Sequence, residues 1–482
     1  MDAEPFVVVG GDAAGLSAAS KFRRTAPDRE VRVFEKGRWI SYAYCGMPYF
    51  IAGRIDHLGN LLSLSPAEAD ERGIDLRRGH EVTAVDPDEG VVHVESDEGG
   101  KSNEGGESIE QPYSALLVAT GGRAATGPFD VRELDGAFTL HDMDAAAAID
   151  AYIADPDDYD FDRVADTPVD RERVEHSAAQ PAPETAAIIG GGYVGVEMAE
   201  ALRERGLDVH LFQRSGHVLQ PFGKAVADRV ETELAEQGVT VHTDTPVDAL
   251  RGEERIEAVA FEGGEIEVDL AIVGVGIRPN TELLDGTGIE LGDSGAIRTD
   301  EFGRTNLDSV YAAGDCATAR HTVTGEETWM PLGLTANRSG RAIGATVGGE
   351  ETPVGDIAGT AVVKAFEMEC GRVGLLDEES AREAGFDPVR ETVTAGSRSG
   401  YYPGNAETDV TLVADRETGK LLGGSIVGSD RAAVRIDTLA TALDADMTVA
   451  EVERLDLAYA PPFSPVWDPV LVAAKVLNGR LD

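Results

Sequence analysis

The sequence predicts an α/β protein with two parallel-sheet domains and a C-terminal α+β domain. Three observations lead to this prediction: two units of strand, glycine-rich turn and helix, short apolar strands between them, and a change of pattern near Gly355. At roughly 150 residues per domain, a chain of 482 residues is long enough for three domains.

The first unit begins with an apolar strand at Phe6–Val9 and continues through the loop Gly10-Gly11-Asp12-Ala13-Ala14-Gly15 into a helix over 16–22. A second strand, over 31–34, ends at Glu35, 20 residues beyond Gly15. Such a loop lets the backbone approach a pyrophosphate at the positive end of the helix, and the carboxylate can accept both ribose hydroxyls of an adenosine. The unit therefore predicts a dinucleotide site, although Asp12 replaces the middle glycine of the usual pattern.

The second unit matches the pattern fully, with a strand at 187–189, the loop Gly190-Gly191-Gly192-Tyr193-Val194-Gly195 and a helix to about Arg205. Its second strand, over 209–212, ends at Gln213 instead of an acid. An acid would repel a 2′-phosphate, whereas Arg214 could pair with one, so this strand end favours NADPH over NADH. Two such units in one chain indicate two Rossmann-like dinucleotide-binding domains.

The rest of the chain supplies further strands and the joins between domains. We expect a buried parallel strand before Ala119-Thr120-Gly121 and a matching strand at 270–273 before Gly274. Segments 95–111 and 155–185 are rich in Asp, Glu, Gly, Pro and Ser, so we expect two solvated surface insertions. Beyond Gly355 the pattern becomes α+β. The expected elements there are strands at 362–363, 410–413 and 421–427, and helices at 378–385 and 434–443.

The composition is strongly acidic, with 88 Asp+Glu against 42 Lys+Arg and a formal net charge of −46. This charge argues against general binding to nucleic acid or to anionic membranes. No apolar run approaches the ~20 residues that span a bilayer, the acidic N-terminus is unlike a signal peptide, and three cysteines fit a reducing cytosol. Only seven of the 42 basic residues are Lys. This balance resembles that of halophilic proteins, whose charges are screened at molar salt.

Cys45 lies ten residues beyond Glu35, in Ser41-Tyr42-Ala43-Tyr44-Cys45-Gly46-Met47-Pro48-Tyr49. The glycine and proline favour an exposed turn or the start of a helix, where a thiol pKa is lowered. The next cysteine along the chain is Cys316, so a CxxxxC disulfide is excluded here. Cys45 would therefore work alone, through a mixed disulfide, a persulfide or a sulfenic acid. We expect Cys316 and Cys370 to be structural.

Together these features resemble the FAD-dependent pyridine nucleotide-disulfide oxidoreductases. The most similar branch is the single-cysteine branch of coenzyme A disulfide reductases, NADH oxidases, NADH peroxidases and persulfide reductases. The resemblance covers nearly the whole chain outside the two acidic segments. Its further motifs are Gly274-Val275-Gly276-Ile277-Arg278-Pro279-Asn280, Tyr311-Ala312-Ala313-Gly314-Asp315, Ala336-Asn337-Arg338, Tyr401-Tyr402-Pro403-Gly404 and residues 457–464.

The resemblance implies a discontinuous FAD domain (1–123 and 281–352), an inserted NAD(P) domain (124–280) and a dimerisation domain (353–482). It implies a homodimer whose active sites use both subunits, with Tyr193 as a ring that covers the flavin until the nicotinamide displaces it. The implied cofactor-binding residues are Gly10, Asp12, Ala13, Ala14, Gly15, Glu35, Lys36, Ser41, Val82, Ala119, Thr120, Gly121, Arg123, Gly314, Asp315, Gly333 and Ala336 for FAD, and Gly190, Gly192, Tyr193, Val194, Gly195, Glu197, Gln213, Arg214 and Gly276 for NAD(P).

Within the branch, the resemblance favours coenzyme A disulfide reductase. Oxidases and peroxidases carry a histidine in the first glycine loop, where this chain has Ala13. Tyr401 and Tyr459 fall where the reductases place two tyrosines that reach the partner subunit's site, so the implied catalytic residues are Cys45, Tyr401 and Tyr459. The implied contacts with coenzyme A are Ser17, Lys21, Arg24, Ser41, Tyr44 and Arg77, although Tyr44 replaces an asparagine of relatives.

Two alternatives use the same scaffold: an NADH oxidase or peroxidase, and an NAD(P)H-dependent persulfide or polysulfide reductase. A flavoprotein redox sensor and an electron-transfer reductase for an iron–sulfur protein are disfavoured, because neither would need Cys45. We expect a cytoplasmic enzyme with a small-molecule substrate, without a metal site and without a nucleic-acid or membrane partner.

Overall fold

Two parallel five-stranded sheets and one antiparallel five-stranded sheet organise the residues that the computed structural model describes, which are 4–96, 108–131 and 134–481. Most of the predicted insertion at 95–111 lies outside these described residues. The strands are β1 (Phe6–Val9), β2 (Val31–Glu35), β3 (Asp75–Arg78), β4 (His80–Asp86), β5 (Val91–Ser96), β6 (Ser108–Pro112), β7 (Ala115–Val118), β8 (Gly122–Ala124), β9 (Ala137–Phe138), β10 (Thr185–Ile189), β11 (Asp208–Phe212), β12 (Val239–His242), β13 (Val247–Arg251), β14 (Ala258–Phe261), β15 (Gly264–Glu267), β16 (Leu270–Val273), β17 (Ile277–Pro279), β18 (Val310–Ala312), β19 (Ala319–Arg320), β20 (Glu327–Thr328), β21 (Ala361–Ala365), β22 (Met368–Gly374), β23 (Pro388–Gly396), β24 (Glu407–Asp415) and β25 (Leu421–Gly428).

The helices lie mainly between parallel strands and against one face of the antiparallel sheet. They are α1 (Ala13–Thr25), α2 (Met47–Ile51), α3 (Pro66–Glu71), α4 (Met143–Tyr152), α5 (Arg171–Ala178), α6 (Tyr193–Glu204), α7 (Lys224–Glu236), α8 (Gly333–Val347), α9 (Glu378–Glu383), α10 (Ile436–Asp444), α11 (Val449–Val452) and α12 (Pro469–Leu481). Within the described part of the chain, none has both the length and the apolar character needed to cross a membrane.

The first parallel sheet has the order β18-β7-β1-β2-β3, so the turn after β1 lies at its centre. Gly10 has φ +110°, a conformation that favours glycine, and a Cβ there would lie less than 3.0 Å from the Ala119 carbonyl oxygen. A Cβ on Gly15 would lie equally close to the Gly10 carbonyl oxygen. These two glycines therefore allow α1 to start directly above the strand ends.

The second parallel sheet repeats this geometry in the order β12-β11-β10-β16-β9. Gly190 has φ +112°, and a Cβ there would lie less than 3.0 Å from the Gly274 carbonyl oxygen. A Cβ on Gly195 would meet the Gly190 carbonyl oxygen in the same way. The mixed α/β fold predicted from the two glycine loops is confirmed.

Helices α1 and α8 pack unusually closely in the first unit. Cβ atoms on Gly340 and Gly344 would lie less than 3.0 Å from the carbonyl oxygens of Ala14 and Ala18, respectively. The two backbones are therefore in direct contact, and only glycine fits at these positions of α8. This packing fixes the N-terminal half of α1 against the C-terminal half of α8.

The C-terminal residues form an antiparallel sheet of order β21-β22-β25-β24-β23. One face is covered by α10 and α12, whose buried residues include Leu439 and Leu477. The opposite face contributes Val363 and Val427 to the core that also contains buried residues of α6 and α7. The predicted α+β pattern is present, with strands longer than the apolar runs suggested.

The segment 155–185 differs from the solvated insertion that its composition predicts. Its residues Val164, Val169 and Val174 are buried in the same core as α2 and α4, and α5 packs against α4. Its larger apolar side chains are buried or half-buried, whereas Ala179 and Ala182 are exposed. The prediction of a wholly solvated segment is therefore wrong.

We predict opposite effects for two Gly→Ala substitutions in helices. Gly344→Ala should destabilise the protein by about 1–3 kcal/mol, because the methyl group collides with the backbone of α1. Gly479→Ala in α12, where a Cβ meets nothing within 4 Å, should stabilise by at most about 1 kcal/mol. Urea unfolding monitored by tryptophan fluorescence measures both. Equal stability of the two variants would contradict the close contact of α1 with α8.

Candidate active site

The residues predicted to hold FAD come together at the carboxyl edge of the first sheet. The loop from Gly10 to Gly15 follows β1, Glu35 ends β2, Ala119–Gly121 follow β7, and Gly314 and Asp315 follow β18. A Cβ on Gly314 would contact the Cβ atoms of Ala14 and Ala336, so this turn meets the first turns of both α1 and α8. Parallel strands end together at one edge, which is where dinucleotides bind in such sheets.

In both units, the side chain at the end of the second strand accepts a hydrogen bond from the glycine loop. The Gly11 N–H donates to Glu35 Oε2 (2.7 Å), and the Gly191 N–H donates to Gln213 Oε1 (2.9 Å). Glu35 Oε1 also accepts from the Gly37 N–H at 2.7 Å. Each side chain therefore braces its own glycine loop from the position where an adenosine ribose would be recognised, with a negative charge only in the first unit.

Two glycines, one in the second glycine loop and one at the start of α8, test whether the sites fit a dinucleotide. Gly192, the middle glycine of the second loop, and Gly333, the first residue of α8, have nothing within 4 Å of a would-be Cβ. Protein packing therefore does not require glycine at either position. The open space beside two helix N-termini instead suits anionic groups, which is consistent with one pyrophosphate at each unit.

Asp12 stands at the middle position of the first loop and turns toward the segment that carries Cys45. Its Oδ1 accepts from the Tyr42 N–H at 3.1 Å, and its carboxyl group also interacts with the Tyr44 hydroxyl. Burial raises the pKa of Asp12 to about 7, although both contacts oppose the rise. Asp12 is therefore partly protonated at neutral pH, which weakens its repulsion of a phosphate.

Cys45 lies on a single 3₁₀ turn, Tyr44–Gly46, that leads into α2. It is exposed, whereas Cys316 and Cys370 are buried. Partial desolvation by neighbouring protein groups raises the pKa of the Cys45 thiol, and the negative charges of Glu197 and Asp315 raise it further. The expectation that a helix start lowers this pKa is therefore wrong, because α2 has only one short turn and acids face the sulfur.

Glu197 projects from α6, in the second unit, toward the segment that carries Cys45. The Tyr49 hydroxyl, one turn beyond Cys45, lies 3.4 Å from Glu197 Oε1. Burial raises the pKa of Glu197 to about 7. On the same helix, the ring of Tyr193 packs 5.3 Å from that of Phe222, and its hydroxyl interacts with Arg372. Helix α6 therefore joins the second glycine loop to the cysteine.

Glu200, one turn further along α6, holds three parts of the chain together. Its side chain is only 6% exposed, and it accepts from Arg54 Nη2 (2.7 Å), Lys364 Nζ (3.1 Å) and the Phe366 N–H (2.8 Å). Arg54 follows α2, and the other two donors belong to the edge of the antiparallel sheet. Sequence reasoning missed this carboxylate, because its partners lie far away in the chain.

Arg214 is exposed beyond the end of β11 and has no ion pair among the described residues. The neighbouring Gln213 amide donates to the Ser215 hydroxyl. An unpaired guanidinium and a hydroxyl thus stand beside the second dinucleotide site.

Three of the six predicted coenzyme A contacts lie on one exposed face of α1. Ser17 Oγ donates to Asn337 Oδ1 of α8 at 2.7 Å, Lys21 pairs with Glu350 at 2.8 Å, and Arg24 is exposed without an ion pair among the described residues. The neighbouring helix α8 adds exposed Arg338 and Arg341, neither of which has an ion pair in the described part of the chain. Arg341 was missed, although it lies one turn beyond the Ala336-Asn337-Arg338 motif.

The other predicted contacts lie in different surroundings. Ser41 has φ +43°, and its N–H donates to the Gly11 carbonyl oxygen at 3.1 Å. Tyr44 packs against Tyr42 and His141, with ring centroids 4.4 and 5.7 Å away. Arg77 lies on β3 in an ion pair with Asp75 at 3.0 Å. Ser41 and Tyr44 adjoin the glycine loop and Cys45, whereas Arg77 is engaged with an acid.

The remaining predicted cofactor residues take up several kinds of position. Val82 is a core residue of β4, so only its backbone could serve a ligand. Arg123 pairs with Glu282 at 2.5 Å and donates to Asn280 Oδ1 at 2.8 Å. The others are Lys36, exposed after β2; Val194, half-buried in the first turn of α6; and Gly276, with φ +116° and open space around it.

Tyr401 and Tyr459 lie together on the C-terminal domain, 77% and 48% exposed. Their hydroxyls interact, which raises the pKa of Tyr459. Among the described residues, the same domain also exposes Val362, Val434, Phe463, Val466, Trp467 and Val476. So much exposed apolar surface is typical of a protein–protein interface.

One group of side chains could offer ligand atoms to a metal ion among the described residues. His217, Asp228 and Glu231 have ligand atoms within 4.8 Å of one another. Lys224 Nζ already contacts both oxygens of Asp228, at 2.6 and 2.7 Å. The Asp228 carboxylate is thus already paired with a cation, and the group is remote from Cys45 in the sequence and in the second unit alone.

Comparison with known proteins agrees with this geometry. A curated relative from Pyrococcus horikoshii, named NAD(P)H coenzyme A polysulfide/persulfide reductase, is 38% identical over 475 residues, 98% of each chain. A coenzyme A disulfide reductase from Staphylococcus haemolyticus is 29% identical and covers 95% of this chain and 96% of its own. The solved structure of reduced Bacillus anthracis CoADR-RHD has a TM-score of 0.89 at 30% identity, covering 100% of this chain and 81% of that one.

Family models match most of the chain. The model described as pyridine nucleotide-disulphide oxidoreductase matches residues 4–340, and the dimerisation domain of the same family matches residues 360–469. Both glycine loops and Cys45 lie within the first match, and Tyr401 and Tyr459 lie within the second. The chain therefore belongs to the pyridine nucleotide-disulphide oxidoreductase family.

Proposed function

We propose that this oxidoreductase uses NAD(P)H and FAD to reduce the S–S bond of coenzyme A disulfide through Cys45 alone. The observation that carries the proposal is that Cys45 is the exposed cysteine, while Cys316 and Cys370 are buried. Chemistry at Cys45 therefore cannot end in an intramolecular disulfide and must pass through a bond to the substrate. The names of the relatives, which include coenzyme A disulfide and persulfide reductases, support this substrate class.

The sulfur step follows from the chemistry of a lone thiol. The Cys45 thiolate attacks one sulfur of the disulfide, the S–S bond breaks, and one coenzyme A thiolate leaves while a mixed disulfide forms on Cys45. Two electrons and a proton then release the second coenzyme A and restore the Cys45 thiolate. The chemistry that bound FAD supplies is the transfer of those two electrons from NAD(P)H. The residues that would hold it are the first glycine loop, Glu35 and Asp315.

The acids and phenols around the sulfur would accept and donate the protons of this reaction. Burial and the charges of Glu197 and Asp315 disfavour the Cys45 thiolate, so the attack needs a group that accepts the thiol proton. Glu197, with a pKa of about 7, is poised to accept the proton that Cys45 releases. In the homodimer that we propose, the partner subunit's Tyr401 and Tyr459 would hydrogen-bond the departing coenzyme A thiolate.

Binding a multiply charged anion requires local positive charge in a protein of net charge −46. The faces of α1 and α8 provide it through Arg24, Arg338 and Arg341, with Ser17 and Asn337 between the helices. Guanidinium groups bind phosphate through paired hydrogen bonds. We propose this surface for the phosphates of coenzyme A, in place of Arg77, whose guanidinium is paired with Asp75.

Two further proposals concern the nucleotide that the enzyme oxidises and the salt concentration in which it works. The unpaired Arg214 supports NADPH as the preferred donor. The excess of acids and the scarcity of Lys support a protein of a high-salt cytoplasm, where its carboxylates are screened.

The first test is anaerobic oxidation of NADPH by the FAD-loaded protein in multimolar KCl, with coenzyme A disulfide as acceptor. We expect saturable turnover, and we expect Cys45→Ser to abolish it while FAD stays bound and 2,6-dichlorophenolindophenol is still reduced. Full disulfide turnover by Cys45→Ser would contradict the mechanism. Activity with polysulfide alone, or with oxygen alone, would move the assignment to the persulfide reductases or to the oxidases.

Removing the charge of Glu197 should make Cys45 more acidic. The carboxylate raises the Cys45 pKa, so Glu197→Gln should shift the midpoint of iodoacetamide alkylation to lower pH and accelerate alkylation at pH 8, because the thiolate is the reactive form. The rate is measured by mass spectrometry across pH 6–10. Glu236→Gln, exposed on α7, controls for net charge. An unchanged or higher midpoint in Glu197→Gln would show that its charge does not reach the thiol.

Removing Arg214 should affect NADPH and leave NADH unchanged. Loss of a charge-assisted contact with a phosphate is worth roughly 1.5–3 kcal/mol, so KM for NADPH should rise about tenfold or more in Arg214→Ala. KM for NADH should change less than about twofold, because NADH carries no 2′-phosphate. Arg251→Ala, exposed on the same domain, is the matched control. Parallel changes for both nucleotides would refute the assigned contact.

A further inference from the structure

We propose that Arg163, in the acidic segment 155–185, is a positioning residue that holds the short helix behind Cys45 in place. The inference rests on the proposed role of Cys45. The inference gives a structural role to a segment that was predicted, from its composition, to be a solvated surface insertion.

The side chain of Arg163 reaches the end of α2. Its Nη2 donates to the Phe50 carbonyl oxygen at 2.8 Å, and its Nη1 lies 3.4 Å from the Asp56 carbonyl oxygen. The guanidinium also lies 4.6 Å from the centroid of the Phe50 ring. The Phe50 carbonyl oxygen also accepts from the Gly53 N–H at 2.9 Å, so Arg163 adds a side-chain hydrogen bond to the turn that ends α2.

A second arginine and one carboxylate complete this arrangement. Asp150 of α4 is fully buried and accepts from Arg163 Nε (2.8 Å) and Arg205 Nη1 (3.2 Å). Arg205 Nη1 also donates to the Ile51 carbonyl oxygen at 3.1 Å. One buried anion thus orients two cations onto consecutive carbonyls of α2. Burial alone raises the pKa of Asp150, and the two arginines oppose that rise.

The rest of the segment lies against the same stretch of chain. His57 Nε2 is 3.0 Å from the Ala165 carbonyl oxygen, and Val164 is buried in the core with Phe50 and Ile51. Cys45 lies only two residues before α2, and the helix has five residues, so a shift at Phe50 displaces the sulfur directly. The contacts of Arg163 therefore fix where the sulfur stands relative to Glu197.

Arg171 offers a matched control in the same segment. It pairs with Glu175 at 2.9 Å and lies 4.8 Å from the Phe161 ring centroid, but none of its contacts among the described residues reaches α2, and its side chain is 56% exposed. Both arginines combine an ion pair with an aromatic contact. They differ in that only Arg163 reaches the helix behind Cys45.

The test compares Arg163→Met with Arg171→Met in the FAD-loaded protein. We expect Arg163→Met to lower kcat with coenzyme A disulfide by about tenfold or more with KM changed less than about twofold, because misplaced reacting atoms slow the chemical step while the phosphate contacts persist. Alkylation of Cys45 by iodoacetamide should become faster, since the thiol is less shielded, and dichlorophenolindophenol reduction should be unchanged. Arg163→Lys should recover part of the kcat, because one donor remains.

Arg163→Met leaves Asp150 paired with Arg205, so no buried charge is left uncompensated. The double variant Asp150→Asn with Arg163→Met tests the same contact with the carboxylate also removed. Alkylation rates in both variants equal to that of Arg171→Met would overturn the proposal. Joint loss of FAD and of dye reduction in both variants would also overturn it, because Arg163 would then maintain the fold only. If wild-type protein fails to reduce coenzyme A disulfide, the proposed function fails, and the alkylation rates still decide whether Arg163 positions Cys45.

Discussion

Close contact between backbones at four glycines is the constraint on which the rest of the structure depends. A Cβ at Gly10, Gly15, Gly190 or Gly195 would lie less than 3.0 Å from a carbonyl oxygen. Because these contacts are that close, each helix starts directly over the end of its strand and presents unpaired N–H groups at the sheet edge. The two units therefore place two anion sites, and between them α6 and the segment of Cys45, in a fixed relation.

The electrostatics of the centre follow from that placement. Glu197 and Asp315 lie near the exposed sulfur, and Asp12 lies in the first glycine loop. Burial raises the pKa of all three carboxyl groups. Burial of this kind disfavours the charged form of each carboxyl group. Exposed arginines without an ion pair among the described residues lie instead on α1 and α8, at Arg24, Arg338 and Arg341.

Local patterns in the sequence predicted the parts of the molecule that depend on near neighbours. The glycine loops, Glu35, the turns at Gly121 and Gly314 and the isolation of Cys45 are all readable as short motifs. The roles of Glu200, Asp150 and Arg163 were not, because their partners lie far along the chain and each looks like one more charge in an acidic protein. The direction of the Cys45 pKa also escaped prediction, since it depends on Glu197 from another domain. Arg77 differs from the other predicted contacts through its ion pair with Asp75, which lies only two residues away and was overlooked.

The carboxylate of Glu200 has a consequence for the speed of nucleotide entry. It joins the loop after α2, helix α6 and the edge of the C-terminal sheet through three hydrogen bonds while almost fully buried. Parts held in this way do not swing apart as hinged bodies, a motion that takes microseconds to milliseconds. Rotation of the Tyr193 ring, by contrast, requires only that this side chain leave its contacts with Phe222 and Arg372. Opening of the site by that route would be a local side-chain event and not a slow domain motion.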